Sequence, residues 1–152
     1  MRVSRFVLVT LRIAVLCALA LLPVVAAASC SGFAVKSDAE SAVATFHGQL
    51  DDGRYAEIYE ATDDVFKDAM PRSGFIEVLQ AIRRKLGAVR ASSQTQFSSQ
   101  ERLGTNGGSY VLLTYDTDFT DGRATETFHW RIANGKVRLV AYNINSAVLI
   151  TR

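Results

Sequence analysis

His47 and His129 are the only histidines in this chain of 152 residues. His129 and Arg131 alternate with apolar residues, which puts the two on one face of a β-strand. Asp121-Gly122 reads as a two-residue hairpin turn. That turn predicts Arg131 opposite Leu112, His129 opposite Thr114 and Thr127 opposite Asp116. His129, Arg131 and Asp116 then share a sheet face. A histidine oriented by a carboxylate can do general acid–base work, because the carboxylate fixes the ring and shifts its pKa. The plain alternative is a polar outer face with ordinary cross-strand pairs. If Phe128, Trp130 and Ile132 face the helices, His129 points away from the interior, so no catalytic residue is assigned.

Other chemistries find little support. There is no H-E-x-x-H pattern and no cysteine set, so no metal site and no cofactor are expected. There is no G-x-S-x-G and no glycine loop for phosphate. Asp51-Asp52 and Asp63-Asp64 read as turn and cap residues, since a calcium loop needs more oxygen ligands at fixed spacing. Arg83-Arg84-Lys85 ends a helix, where cations complement the dipole. The other reading of that cluster is contact with anionic lipid.

The elements that would position these residues follow from periodicity. Ser37-Asp38-Ala39-Glu40 has the form of a capping box and predicts a helix start. Ala39, Val43, Phe46 and Leu50 make its apolar stripe. Asp51-Asp52-Gly53 ends it. Tyr55, Ile58 and Tyr59 mark a second helix, and Val65-Phe66 a further turn. Pro71 interrupts, and Ser73 is expected to cap the next helix, with Phe75, Leu79, Ile82 and Leu86 buried and Gly87 as its stop. Beyond Gly87 the period changes to two. Residues 88–103 are polar, with Val89, Ala91 and Phe97 as apolar points. Asn106-Gly107-Gly108 is a turn. In the strand that follows, Val111, Leu113, Tyr115, Thr117 and Phe119 share a face. Phe128, Trp130 and Ile132 do so in the next. Asn134-Gly135 is another hairpin signal. In the last strand Val140, Tyr142 and Ile144 face one way, and Leu139, Ala141 and Asn143 the other. Helices first and an antiparallel meander after predict α+β, with the helices packed on one sheet face. Apolar residues on the second face make it a candidate surface for a homodimer partner or for the membrane.

The N-terminus carries an address. Arg2, Arg5 and Arg12 precede a short apolar run, Ile13 to Leu22, and a small-residue region, Ala26 to Cys30. That order is a secretory signal over residues 1–29. The run is too short to span a bilayer, which needs roughly 20 apolar residues. Ala27-Ala28-Ser29-Cys30 resembles the bacterial lipobox, although Ala27 stands where Leu is preferred. The resemblance implies a lipid on Cys30. The competing reading is cleavage after Ala28, at an A-x-A site, which leaves a soluble periplasmic or secreted protein. Cys17 is lost with the signal, so Cys30 is the single mature cysteine, and acylation accounts for it. Ser31 replaces the Asp that retains lipoproteins in the inner membrane, so the resemblance implies an outer-membrane anchor facing the periplasm. Losing the three signal arginines takes Lys plus Arg from 17 to 14 against 15 acids, a net charge of −1. Such a charge offers no basic field for nucleic acid. Residues 30–37 are expected as a tether and 38–152 as one domain.

The order of elements resembles the nuclear-transport-factor-two-like superfamily, the cystatin-like roll. The residues that carry the likeness are Phe46-His47-Gly48-Gln49-Leu50-Asp51-Asp52-Gly53-Arg54-Tyr55 and the run from Trp130 to Ile144, WRIANGKVRLVAYNI. It covers about residues 38–148 and is similar to small bacterial envelope members without an assigned function. The resemblance implies helices packed into a curved four-stranded sheet, a cone-shaped roll. Phe46, Leu79, Tyr115, Phe128, Trp130 and Tyr142 are the candidate cone-lining residues. Some members are enzymes of the ketosteroid-isomerase or dehydratase type, and others are binding modules. No enzymatic motif transfers here, so a non-catalytic binding or interaction domain is expected, and a small-molecule enzyme is the alternative. A buried Asp, Glu or His inside would favour the enzyme, and a cone filled by core side chains the module.

Overall fold

The computed structural model describes the backbone of residues 24–150 and the side chains of residues 32–150. The expected signal up to residue 23 and the side chain of Cys30 lie outside the described residues. The chain divides into two units, residues 1–34 and 35–152. In the first, residues 24–34 are helical and Phe33 is exposed. The second holds the sheet and every helix from Val35 onward.

Helices α1 (Val24–Asp51), α2 (Tyr55–Glu60), α3 (Asp64–Ala69) and α4 (Arg72–Leu86) precede strands β1 (Val89–Arg102), β2 (Gly108–Phe119), β3 (Arg123–Ala133) and β4 (Lys136–Asn145). A short helix, α5 (Ala147–Ile150), follows. The strands make one antiparallel sheet in the order β1-β2-β3-β4. The fold is α+β, as the segregation of periods along the chain predicts.

The expected helix start at Ser37 is not where α1 begins. Helical backbone runs from Val24 through residues 30–37, the expected tether. Ser37 therefore caps nothing, and its carbonyl accepts the Ser41 hydroxyl at 2.9 Å. The stripe Ala39, Val43, Phe46 and Leu50 is buried as expected. The helix closes with the Arg54 N–H on the Gln49 carbonyl (2.8 Å) and Gly53 in the left-handed region (φ +72°). Pro71, not Ser73, is the N-cap of α4: its ring fixes φ at −60°, and with an extended ψ of 146° it leads directly into the first turn. Phe75, Leu79, Ile82 and Leu86 are buried along that helix. Each such side chain contributes about 2 kcal/mol of transfer free energy.

Two details of the sheet differ from expectation, and both have a local cause. The β2–β3 connection is longer than a two-residue turn. The Phe119 N–H binds the Gly122 carbonyl at 2.8 Å, while Thr120 and Asp121 donate to the carbonyls of Ala88 and Leu86 at 2.9 Å. Those bonds hold Thr120 and Asp121 out of the ladder. His129 therefore sits opposite Leu112, Arg131 opposite Tyr110 and Thr127 opposite Thr114. The slip is even, so every side chain keeps its expected face. In β4 a bulge shifts the register between His129↔Ala141 and Trp130↔Leu139, leaving Val140 extra. A bulge inverts parity. Leu139 is therefore buried with Tyr142 on the helix-facing side, not opposite it. The apolar second face expected of β4 loses Leu139 to the core.

Candidate functional site

The helix-facing side of the sheet carries a carboxylate in its core. Glu126 on β3 lies in phase with Ala124, Phe128 and Trp130 and is 0% exposed. Three side chains from three other elements converge on it. His47 of α1 lies 2.8 Å from Oε2 through Nε2. Thr117 of β2 donates to the same oxygen at 2.5 Å. Tyr142 of β4 donates to Oε1 at 2.6 Å. An ionised carboxylate only accepts, so the Nε2 of His47 carries the hydrogen. His47 is 7% exposed. Its ring meets Phe128 edge to face at 5.8 Å between centroids.

The electrostatics follow from this enclosure. Burial is the largest single influence on Glu126 and pushes its pKa up. The hydrogen bond and charge of His47, with the bonds from Thr117 and Tyr142, together outweigh it and hold the carboxyl below its ordinary value. Burial first, then the neighbouring carboxylate, push the Tyr142 phenol well above its ordinary 10.0. The group is a buried anion with every partner in place, and no polar side chain in it is left over. Such an arrangement can move a proton between Glu126 and His47 only where a reacting molecule reaches it.

The six residues expected to line a cone lie in or against the same core, and Tyr142 belongs to the network as well. Phe46 packs against Phe128 at 5.2 Å and Tyr142 at 4.9 Å, and Phe128 stacks on Trp130 at 6.0 Å. Tyr115 meets Phe128 edge to face. Leu79 is fully buried. These six side chains lie in one core, in contact with one another or with its other members.

The residues singled out on the outer face do not come together. His129 is exposed, and Asp116 takes the Thr125 hydroxyl at 2.9 Å. Partial burial lowers the pKa of His129, the opposite of what a carboxylate partner would do. Arg131 binds Asp63 at 2.7 Å from one amino nitrogen and 2.8 Å from Nε. Asp63 is only 3% exposed and also caps α3 through the Val65 N–H. That pair ties β3 to the α2–α3 connection.

Several clefts open on the described surface. A polar groove of about 750 Å³ includes Lys67, Arg131, Lys136 and Arg138. Its cations are largely engaged, Arg131 by Asp63, and Lys67 and Arg138 by the Glu60 carbonyl at 3.4 and 3.1 Å. A smaller cleft of about 180 Å³ is lined by Ala42 and Phe46 of α1, Ile58 of α2, Trp130 of β3, and Val137 and Leu139 of β4. The Trp130 Nε1–H is buried without an acceptor among the described residues. An unmet buried donor costs about 1–3 kcal/mol. Among the described residues no three His, Cys, Asp or Glu side chains are grouped as metal ligands. Nor is any described helix long and apolar enough to cross a membrane.

The reading of the sequence missed Glu126. Its signal is a charged residue in phase with Phe128 and Trp130, two positions before the apolar run. His47 had a signal too, one turn after Val43 on the buried stripe. No curated protein matches the chain. Residues 42–142, more than half of it, match the family described as protein of unknown function, DUF4019, and that span contains His47, Thr117, Glu126 and Tyr142. The chain belongs to the DUF4019 family.

Proposed function

We propose that this protein is an exported envelope lipoprotein, anchored through Cys30, whose α+β domain binds rather than catalyses. The observation that carries the second half is the enclosure of Glu126. It is 0% exposed, and both of its oxygens are occupied by protein donors. A general base needs hydrogen-bond reach to the proton it abstracts, and here that reach is used internally. A satisfied buried network specifies one core arrangement. The resemblance to the nuclear-transport-factor-two-like superfamily, from which no enzymatic motif carries over to this chain, supports the same reading.

A second reading rests on one specific observation. Glu126 and His47 form an ionisable pair 2.8 Å apart on the inner face of the sheet. If α1 moved away from the sheet, that pair would suit acid–base chemistry on a small molecule. Diethyl pyrocarbonate separates the two readings. The chain has two histidines, one exposed and one buried. The binding reading expects one modified residue, His129, and none in the His129→Ala variant. Modification of His47 in the folded protein would favour the enzyme. The anchor has its own test. Cys30→Ser should move the protein from the membrane to the soluble fraction, and unchanged membrane fractionation would sink that half of the proposal.

A further inference from the structure

We infer that the polar groove between α3 and the tips of the two hairpins is a binding site for a phosphate ester that carries hydroxyl groups, with Lys67, Lys136 and Arg138 on the phosphate. The inference rests on the reading that this domain binds, and it names the class of ligand.

The cations dictate the first half of that class. Lys67 comes from α3, Lys136 and Arg138 come from β4, and all three line the groove. Two of them are held by a carbonyl, which positions a cation without neutralising it. The Glu60 carbonyl accepts from Lys67 at 3.4 Å and from Arg138 at 3.1 Å. The Glu60 carboxylate lies 4.0 Å from Lys67 and nearer to Arg72, at 3.4 Å. Lys136 is exposed and has no ion pair among the described residues. Apart from the Arg131–Asp63 pair, the groove therefore holds three cations against two acids, Asp64 and Glu101. A planar carboxylate is satisfied by a single guanidinium fork. Three separate cationic donors suit the three acceptor oxygens of a phosphate ester better.

The facing hairpin dictates the second half. From β1–β2 the groove takes Glu101, the Thr105 hydroxyl and the backbone of Gly104, Gly107 and Gly108. Glu101 accepts the Ser109 hydroxyl, and an ionised carboxylate has room for further donors. A second anion would be repelled there. Ligand hydroxyls would donate to Glu101 and exchange hydrogen bonds with Thr105. At about 750 Å³ the groove lies within the roughly 300–1,000 Å³ of small-molecule sites, with room for a sugar ring beyond the phosphate. The site is separate from the Glu126 network, whose four members do not line it.

Glucose 6-phosphate, glucuronate and glucose share a ring and differ at one carbon, which carries phosphate, carboxylate or hydroxyl. The readout is the amide resonances of Gly104, Gly107 and Gly108 in the ¹⁵N-labelled protein, purified as cells export it. Glucose 6-phosphate should move them saturably. Glucuronate should bind about tenfold more weakly, for want of one charge-assisted hydrogen bond, and glucose more weakly still. Lys136→Glu should weaken glucose 6-phosphate by about tenfold or more. Arg84→Glu, the same change of charge at an exposed position outside the groove, should leave it unchanged. No saturable movement at millimolar glucose 6-phosphate overturns the inference. So does equal binding of glucose, since the cations would then play no part, and so does equal binding of glucuronate, which would remove the phosphate from the class. If Lys136→Glu fails to fold, the comparison of the three sugars on the unaltered protein decides alone. Dihexanoyl phosphatidylglycerol, kept below its micelle concentration, presents the same chemistry on a lipid. Binding tighter than that of glucose 6-phosphate assigns the site to a lipid headgroup, and weaker binding assigns it to a free sugar phosphate. Failure of the non-catalytic reading shows separately, as modification of His47 by diethyl pyrocarbonate.

Discussion

At the scale of the residue, Glu126 is the group whose loss the protein should feel most. Truncation leaves His47, Thr117 and Tyr142 facing a hole with unmet donors. Removing one partner of a buried ion pair costs roughly 3–5 kcal/mol. Glu126→Ala is therefore expected to lower unfolding stability by about 4 kcal/mol. Glu126→Gln keeps the shape but turns an amide N–H toward existing donors, and should cost about 2 kcal/mol. Urea unfolding of both variants checks the order. If Glu126→Gln is as stable as the parent, the carboxylate is not ionised in the core. Neither effect was evident from counting motifs. Glu126 carries no motif, and only its phase on β3 distinguishes it from a surface glutamate.

Single residues also decide the joints between elements. Gly87 ends α4 at φ +79° and ψ −154°, a region essentially reserved for glycine. A Cβ there would lie 1.7 Å from the Thr120 hydroxyl oxygen. Gly87→Ala should cost about 3 kcal/mol in the same unfolding assay. A loss near that of an ordinary surface Gly→Ala would mean that the α4–β1 and β2–β3 joints are not coupled as described. The Asp63–Arg131 pair is a second joint. Asp63→Ala removes the α3 cap and strands Arg131, and should cost about 3 kcal/mol. Arg131→Ala should cost less, because Asp63 keeps its cap bond to Val65. Helix stripes and the Asn134-Gly135 turn were legible because they depend on neighbours in sequence. The structure gives that turn φ values of +52° and +69°, as a type I′ turn requires. The β2–β3 register and the β4 bulge were not legible. Each depends on a partner far away, the carbonyls of Leu86 and Ala88 in one case and the core site for Leu139 in the other.

For the molecule as a whole, the buried network bounds stability on both sides of neutral pH. The Glu126 carboxyl is held below its ordinary value of 4.5 in the folded state, so the unfolded chain binds that proton more readily. Its contribution is complete above that value and is lost as pH falls through the lower, folded one. Tyr142 is raised above 10.0, and Tyr115 is raised too, by burial and then by Glu40. Their contribution is complete below 10.0 and is lost as pH rises through the folded values. Stability measured against pH should fall at both ends. Glu126→Gln should flatten the acid limb, and Tyr142→Phe should flatten part of the alkaline one. Unaltered limbs would place the titrating groups elsewhere. By itself the sequence determined the class of fold, the order of the elements and most of the core, because period and turn chemistry are local properties of the chain. Only the tertiary structure decided that Glu126 is an enclosed anion and that the Trp130 donor has no acceptor among the described residues. The first depends on which side chains four separate elements bring within 3 Å and the second on which they do not, and no local pattern carries that distance.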